Sequence, residues 1–419
     1  MKGEIILMRK RAALGTLLLA WLRCALALDP ALDVSQYAHT AWKSRDGFAK
    51  GEISKIVQTS DGYLWLGTGF GLLRFDGVRN VTWQPPQDQH LPSSDIRSLV
   101  AARDGTLWIG TVSGLASWKN GKLTQYEEVA GLNVATLLED HAGSIWVGAF
   151  GLPDGKLCEV QKGKVRCYPE IGGPGRAVYG LHEDGKGNLW VGSLSGLWRW
   201  RPAPPEFYPA PNRPNGIEGM EDGEDGALLI ATTSGVRRLV GGKAQVAYPF
   251  PFATQGFFAR RMLRDRDGGL WVGTWGRGIV HFHRGRTDVF SQSDGLTADN
   301  VDDFFEDREG NIWAATVNGL DRFRELPVVT YSANQGLSNA PTGAVLGQRD
   351  GTIWFGASDG LFRLKNTQNT IYKHRIGRAR AGVREIAVRG LPDHGFESLF
   401  EDSRGRIWVF PDRNWLPGK

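Results

Sequence analysis

Short apolar runs separated by polar turn pairs recur along the whole chain, and one phrase among them returns nine times: a turn pair followed by an apolar-Trp-apolar-Gly strand. Asp61-Gly62-Tyr63-Leu64-Trp65-Leu66-Gly67-Thr68 is the first copy and Arg404-Gly405-Arg406-Ile407-Trp408-Val409 the last. Trp65, Trp108, Trp146, Trp190, Leu229, Trp271, Trp313, Trp354 and Trp408 hold the central position, and the first eight advance by 43, 38, 44, 39, 42, 42 and 41 residues. One copy shows what each unit builds. Ile96-Arg97-Ser98-Leu99-Val100 suits an innermost strand, and Asp104-Gly105 turns the chain because Gly accepts positive φ. Leu107-Trp108-Ile109 predicts a second strand and Gly114-Leu115-Ala116-Ser117-Trp118 a third. After the Asn120-Gly121 turn, Leu123-Thr124-Gln125-Tyr126 predicts a more polar outer strand.

Four antiparallel strands at a period near forty describe one blade of an all-β propeller. A lone blade cannot bury both faces, so each repeat Trp is expected to pack against the next sheet, a structural role before any ligand role. The motifs from Trp65 to Trp313 predict a seven-bladed ring over residues 28–326. Those at Trp354 and Trp408 predict about two blades of an incomplete second propeller over 327–419. A single ring of eight or nine blades is the alternative. Ring closure is expected to use Gln36 to Trp42 as the outer strand of the last blade, which avoids an open edge. Glycine, at 56 of 419 residues or about 13%, fits many tight turns. The net charge of +5 is mild and spread over both signs, with no basic stripe, so nucleic acid is not an expected partner.

Residues 1–27 have the layout of a secretory signal peptide: a basic head at Arg9-Lys10-Arg11, an apolar stretch from Ala12 to Leu22, and a small-x-small site at Ala25-Leu26-Ala27. Arg23 leaves the apolar run short of a membrane span, and no other segment approaches that length. A periplasmic or secreted location follows. Two cysteines remain beyond the leader. If Lys162-Gly163 is a two-residue hairpin turn, Cys158 and Cys167 are equidistant from it and face each other on a non-hydrogen-bonded pair, where side chains approach most closely. A cross-strand disulfide is expected, with two buried thiols as the alternative.

Repeats such as Asp104-Gly105-Thr106-Leu107-Trp108-Ile109-Gly110-Thr111 followed by Gly114-Leu115, and the opening Tyr37-Ala38-His39-Thr40-Ala41-Trp42 with Asp46-Gly47-Phe48, resemble the two-component regulator propeller family. The resemblance covers residues 28 to 410. It implies the extracytoplasmic sensor region of a histidine kinase or hybrid regulator, in which two seven-bladed propellers precede an immunoglobulin-like domain, a membrane helix and an output module. This sequence carries no membrane helix, phosphoacceptor His box or nucleotide-binding glycine cluster after Trp408. The expectation is a sensor region cut short, non-catalytic in itself, whose kinase or propeller partner is a separate polypeptide.

A propeller receives ligands where the loops between second and third strands meet those entering each inner strand. That rule selects Phe70, Phe150, Trp275, Arg277, Asn318 and Asp359 in the first set, with Arg176, Asp299 and Asn300 in the second. Phe150, Trp275 and Arg277 stand where other repeats have Ser113, Ser195 and Ser234, and an aromatic beside an Arg can stack on and hydrogen-bond a sugar or acidic ligand. A small molecule or oligosaccharide is the expected ligand, with no cofactor. His281 and His283 share one strand face, but no third ligand is evident in the sequence, and metal binding is not expected. The alternative function is a secreted propeller enzyme, a glycan hydrolase or lyase, for which a carboxylate pair at the mouth would be the mark.

Overall fold

The computed structural model describes residues 28–30, 32–86, 88–151, 155–168, 177–209, 216–232, 235–248, 250, 258–326, 331, 337, 340–365, 368–373, 384–391 and 395–411. The leader, Arg176 and most of the basic segment from Lys373 to Arg380 lie outside them. The chain divides into two compact units, Met1–Leu326 and Pro327–Lys419.

Among the described residues, the first unit holds seven four-stranded antiparallel sheets. Blades 1 to 6 occupy residues 53–83, 96–126, 133–168, 178–209, 220–246 and 258–290. Blade 7 takes three strands from residues 301–324 and its outer strand from the start of the chain: Ala38–Lys43 pairs antiparallel with Gly319–Arg324, Ala38 opposite Arg324 and Lys43 opposite Gly319. Each inner strand neighbours the next around the ring, and that of blade 7 neighbours that of blade 1, so the ring is closed. This closure matches the sequence expectation, with the strand starting two residues later than Gln36.

Why these strands stack is written in the repeat. Six residues before the Trp stands an acceptor for its indole N–H: Asp140 Oδ2 for Trp146 at 2.9 Å, Asp184 for Trp190 at 2.8 Å, Asp265 for Trp271 at 2.8 Å and Asp307 for Trp313 at 2.7 Å. The other carboxylate oxygen accepts the turn amides, as Asp140 Oδ1 does from Ser144 N–H at 2.8 Å. One buried carboxylate thus fixes both the turn and the ring. The Gly two places after the Trp lets the next blade approach: a Cβ on Gly192 would lie 2.2 Å from the Ile217 carbonyl oxygen. At the same turns a belt runs from blade to blade. Arg103 N–H donates to Glu139, His141 N–H to Glu183, Arg266 N–H to Glu306, and Arg308 N–H to Gln58, the last crossing from blade 7 to blade 1.

In blade 3, Cys158 faces Cys167 across the outer hairpin, their Cα atoms are 4.0 Å apart and the two are disulfide-bonded. In the second unit, Thr342–Gly347, Ile353–Ala357, Gly360–Lys365 and Gln368–Lys373 form an antiparallel sheet to which Arg384–Ala387 adds a parallel edge. Phe396–Glu401 and Ile407–Pro411 make a hairpin. Among the described residues, no helix is long and apolar enough to cross a membrane.

Candidate functional site at the axial mouth

The inner strands of six blades share one irregularity. The register shifts at Ser54, Arg97, Ala135, Tyr179, Arg260 and Asp302, each directly after a buried residue of the strand. A bulge adds one residue and re-aims side chains. In all of these strands but that of blade 3, which has Ala135, the bulge residue at the entry end is polar, on the face where the second strands finish.

These residues converge in blades 5 to 7. Arg260 Nε donates to Glu218 Oε2 at 2.8 Å and its Nη1 to Asp302 Oδ1 at 2.6 Å, so one guanidinium bridges two carboxylates from the neighbouring blades. Its plane lies over Trp275, 5.3 Å from the ring centroid. Asp302 is only 6% exposed. Burial pushes its carboxyl up to about 6, Arg260 pulls it down, and the Glu52 charge from blade 1 pushes it up again. Glu52 also faces Arg97 of blade 2, 3.7 Å away. Beside the cluster, burial and then the Glu218 charge raise the Tyr179 phenol. The result is a half-buried patch of alternating charge under an aromatic face that is 43% exposed.

The turns that present the mouth residues are held by the Thr or Ser that follows the repeat Gly. Thr68, Thr111, Ser193, Thr232 and Thr274 each donate their hydroxyl to the carbonyl of the glycine opening the third strand, at 2.6–2.9 Å. The same oxygens accept the amide N–H of Phe70 and of Arg277, both at 3.1 Å, and Thr316 that of Asn318 at 3.2 Å. Phe70, Arg277 and Asn318 are exposed on these turns. Phe70 is 67% exposed and stands by Gly51.

Trp275 and Asn300 are brought together by an antiparallel bridge, and Asp299 O accepts the amides of Gly276 and Gly278 at 3.1 and 2.9 Å. Phe150 makes the matching bridge to Ala177. Here the structure corrects the alignment drawn from sequence: Phe150 and Trp275 extend the second strands Ile145–Phe150 and Leu270–Trp275, whereas Ser113 stands in the turn itself. Asp359 belongs to the second unit, in the turn between Ile353–Ala357 and Gly360–Lys365. Sequence reasoning missed Glu218, Arg260 and Asp302. The signal available for Arg260 and Asp302 was their shared place, one residue after the first buried position of each inner strand, whereas Glu218 precedes the strand Met220–Asp222.

A second cluster lies away from the mouth. His281 and His283 on the strand Ile279–His283 face Asp288 on Arg286–Phe290, and their ligating atoms lie within 4.8 Å of one another. This corrects the reading that the pair has no third group.

A closed ring of four-stranded blades with a polar axial mouth defines a β-propeller. The repeats at residues 47–70, 90–113, 172–195, 256–276 and 295–318 match the model of the two component regulator propeller, and the chain belongs to that family. In fold it is similar to the extracellular domain assigned to the hybrid two component system BT3049 of B. thetaiotaomicron, at 18% identity and a TM-score of 0.65, covering 89% of this chain and 52% of that one. The corresponding domain of BT4673 from the same organism gives 19% identity and 0.57, covering 89% and 50%. The chain thus spans about half the length of these solved domains. The virginiamycin B lyase of Staphylococcus aureus is also similar, at 15% identity and 0.55, covering 70% of this chain and 100% of the lyase. No curated protein matches the chain in sequence.

Proposed function

We infer that the first unit is a periplasmic ligand-binding sensor domain of a two-component system, with its ligand at the axial mouth and no catalysis of its own. The observation that carries this reading is the half-exposed Trp275 face backed by Arg260, which Glu218 and Asp302 hold in place. An aromatic platform whose rear is cationic, flanked by exposed Arg277 and Asn318, suits a ring with one apolar face and several hydroxyl or carboxylate groups, as in a small oligosaccharide or sugar acid. The second unit is read as the opening blades of a further propeller, since Trp408 is 49% exposed where Trp146 and Trp271 are covered by a neighbouring blade. The signal would pass to a membrane-bound kinase.

The test is a thermal-shift and calorimetric screen of the chain from residue 28 against oligosaccharides and sugar acids, repeated with Trp275→Ala and Arg277→Ala. Stabilisation by one ligand that both variants lose supports the reading; a ligand unaffected by either variant sinks it. One observation favours the enzyme alternative: an Asp302 carboxyl raised to about 6 is poised to exchange a proton near neutrality. Product appearing on incubation with the bound ligand, abolished in Asp302→Asn, would establish that alternative instead.

A further inference from the structure

His281 is 1% exposed, and neither of its ring nitrogens makes a hydrogen bond. Such a group is costly to leave buried without a partner. What surrounds it is acidic: Nδ1 lies 3.5 Å from Asp288 Oδ1 and Nε2 lies 4.0 Å from Asp265 Oδ2. Beside it, the His283 ring has one nitrogen fixed. Its Nδ1 is 2.7 Å from the carbonyl oxygen of Pro30, which can only accept, so Nδ1 carries the proton. In the neutral ring Nε2 then presents a lone pair, and it points at Asp288 Oδ1 from 2.9 Å. Two lone pairs facing each other call for a positive centre between them. An Nδ1–H anchored on a backbone carbonyl is also the usual way a metal-bound imidazole is oriented.

We propose that His281, His283 and Asp288 hold one divalent ion of the zinc type, which ties the amino-terminal segment to blade 6. Ligand atoms about 2.0–2.1 Å from a tetrahedral zinc lie roughly 3.3 Å apart. The separations of 2.9 and 3.5 Å from Asp288 Oδ1 bracket that value. Asp33 Oδ1, 3.8 Å from His283 Nε2 and ion-paired with Arg286, would reach the fourth position by turning from that arginine. The two imidazoles stand parallel with centroids 4.5 Å apart, so loading the ion tilts both rings towards it. Two imidazoles with a carboxylate suit zinc and its neighbours better than calcium or magnesium, which prefer oxygen alone. The consequence is mechanical. Pro30, Asp33 and Val34, whose amide donates to Asp288, precede the strand that closes the ring, so the ion would fasten the entry to that strand.

The full chain, stripped by chelator and desalted, is titrated with Co2+ and then Zn2+. The expected result is visible Co2+ absorption of a four-coordinate site at one equivalent, displaced by Zn2+, with a rise in melting temperature of several degrees on Zn2+ addition. His283→Gln and Asp288→Asn lose both responses. His281→Phe, which keeps a ring packed against Trp271, loses the Co2+ spectrum while still folding, and so guards against variants that fail for structural reasons. Absence of the spectrum, or its persistence in all three variants, overturns the proposal. So does a metal-indifferent chain whose stability drops as pH rises through neutrality, because an imidazolium at His283 would then fill the ion's place.

Discussion

Asp302 is a mouth residue whose environment alters its chemistry. Burial and the Glu52 charge push its carboxyl up to about 6 despite Arg260. The folded chain therefore binds this proton more tightly than the unfolded one, whose Asp titrates near 4. Stability from this group is greatest below that unfolded value and falls as pH rises through about 6, because the native state must then carry the buried charge. Urea melts between about pH 4 and pH 7 should show that decline in the native chain and a flatter profile in Asp302→Asn; equal slopes would remove the assignment. The repeat carboxylates make a second contrast. Asp140→Ala strands the Trp146 indole and the Ser144 amide in a buried setting, while the more exposed Arg201 keeps Glu159, and should cost about 2–4 kcal/mol. Asp402→Ala removes a similar bond to Trp408 at an exposed site and should cost much less. Chemical denaturation of the two variants measures the difference. Neither Asp302 nor Asp140 stood out in the sequence, though Trp275 and Asn300 did. Mouth residues on turns announce themselves by breaking the repeat, whereas Arg260 and Asp302 occupy ordinary strand positions and are re-aimed by bulges that leave no compositional trace.

Elements were far more legible, because strand and turn are local. The expected strands around Trp108 are found as Ile96–Ala101, Leu107–Thr111, Gly114–Lys119 and Lys122–Tyr126. Hairpin register also follows from the turn: pairing outward from Lys162-Gly163 puts Cys158 opposite Cys167. Applied to Arg284-Gly285, the same rule puts His281 opposite Asp288 and would have supplied the third group of that cluster. Since the cystine closes a loop of only 9 residues' separation, Cys158→Ala with Cys167→Ala should lower stability by about 2–3 kcal/mol, at the small end for disulfides. The cost should appear as an earlier midpoint in guanidinium with the m-value little changed, since the blade is still covered by its neighbours.

At the scale of the whole molecule, stability rests on a contact that joins the two ends of the first unit. Ala38–Lys43 completes blade 7, Trp42 stacks on Trp313 with centroids 5.5 Å apart, and Leu28, Leu32, Val34 and Tyr37 enter the same apolar cluster as Trp271, Phe304 and Phe323. A chain beginning at residue 44 would leave the strand Gly319–Arg324 as a bare edge and expose these apolar side chains, a loss of about 5 kcal/mol or more. The turn belt offers a second closure, since Arg308 reaches Gln58, Thr59 and Ser60 of blade 1 from blade 7. Surface contacts of that kind are individually weak, so the strand should dominate. Comparing chains that begin at residues 28 and 44, each with and without Arg308→Ala, separates the two devices. The expected outcome is a large loss of melting temperature and cooperativity on removing residues 28–43, partly restored by adding the Gln36–Ser44 peptide in trans, and a small effect of Arg308→Ala alone. If the shortened chain instead melts as the longer one does and only the double change unfolds it, the belt and the stacked inner strands close the ring and the terminal strand merely covers an edge.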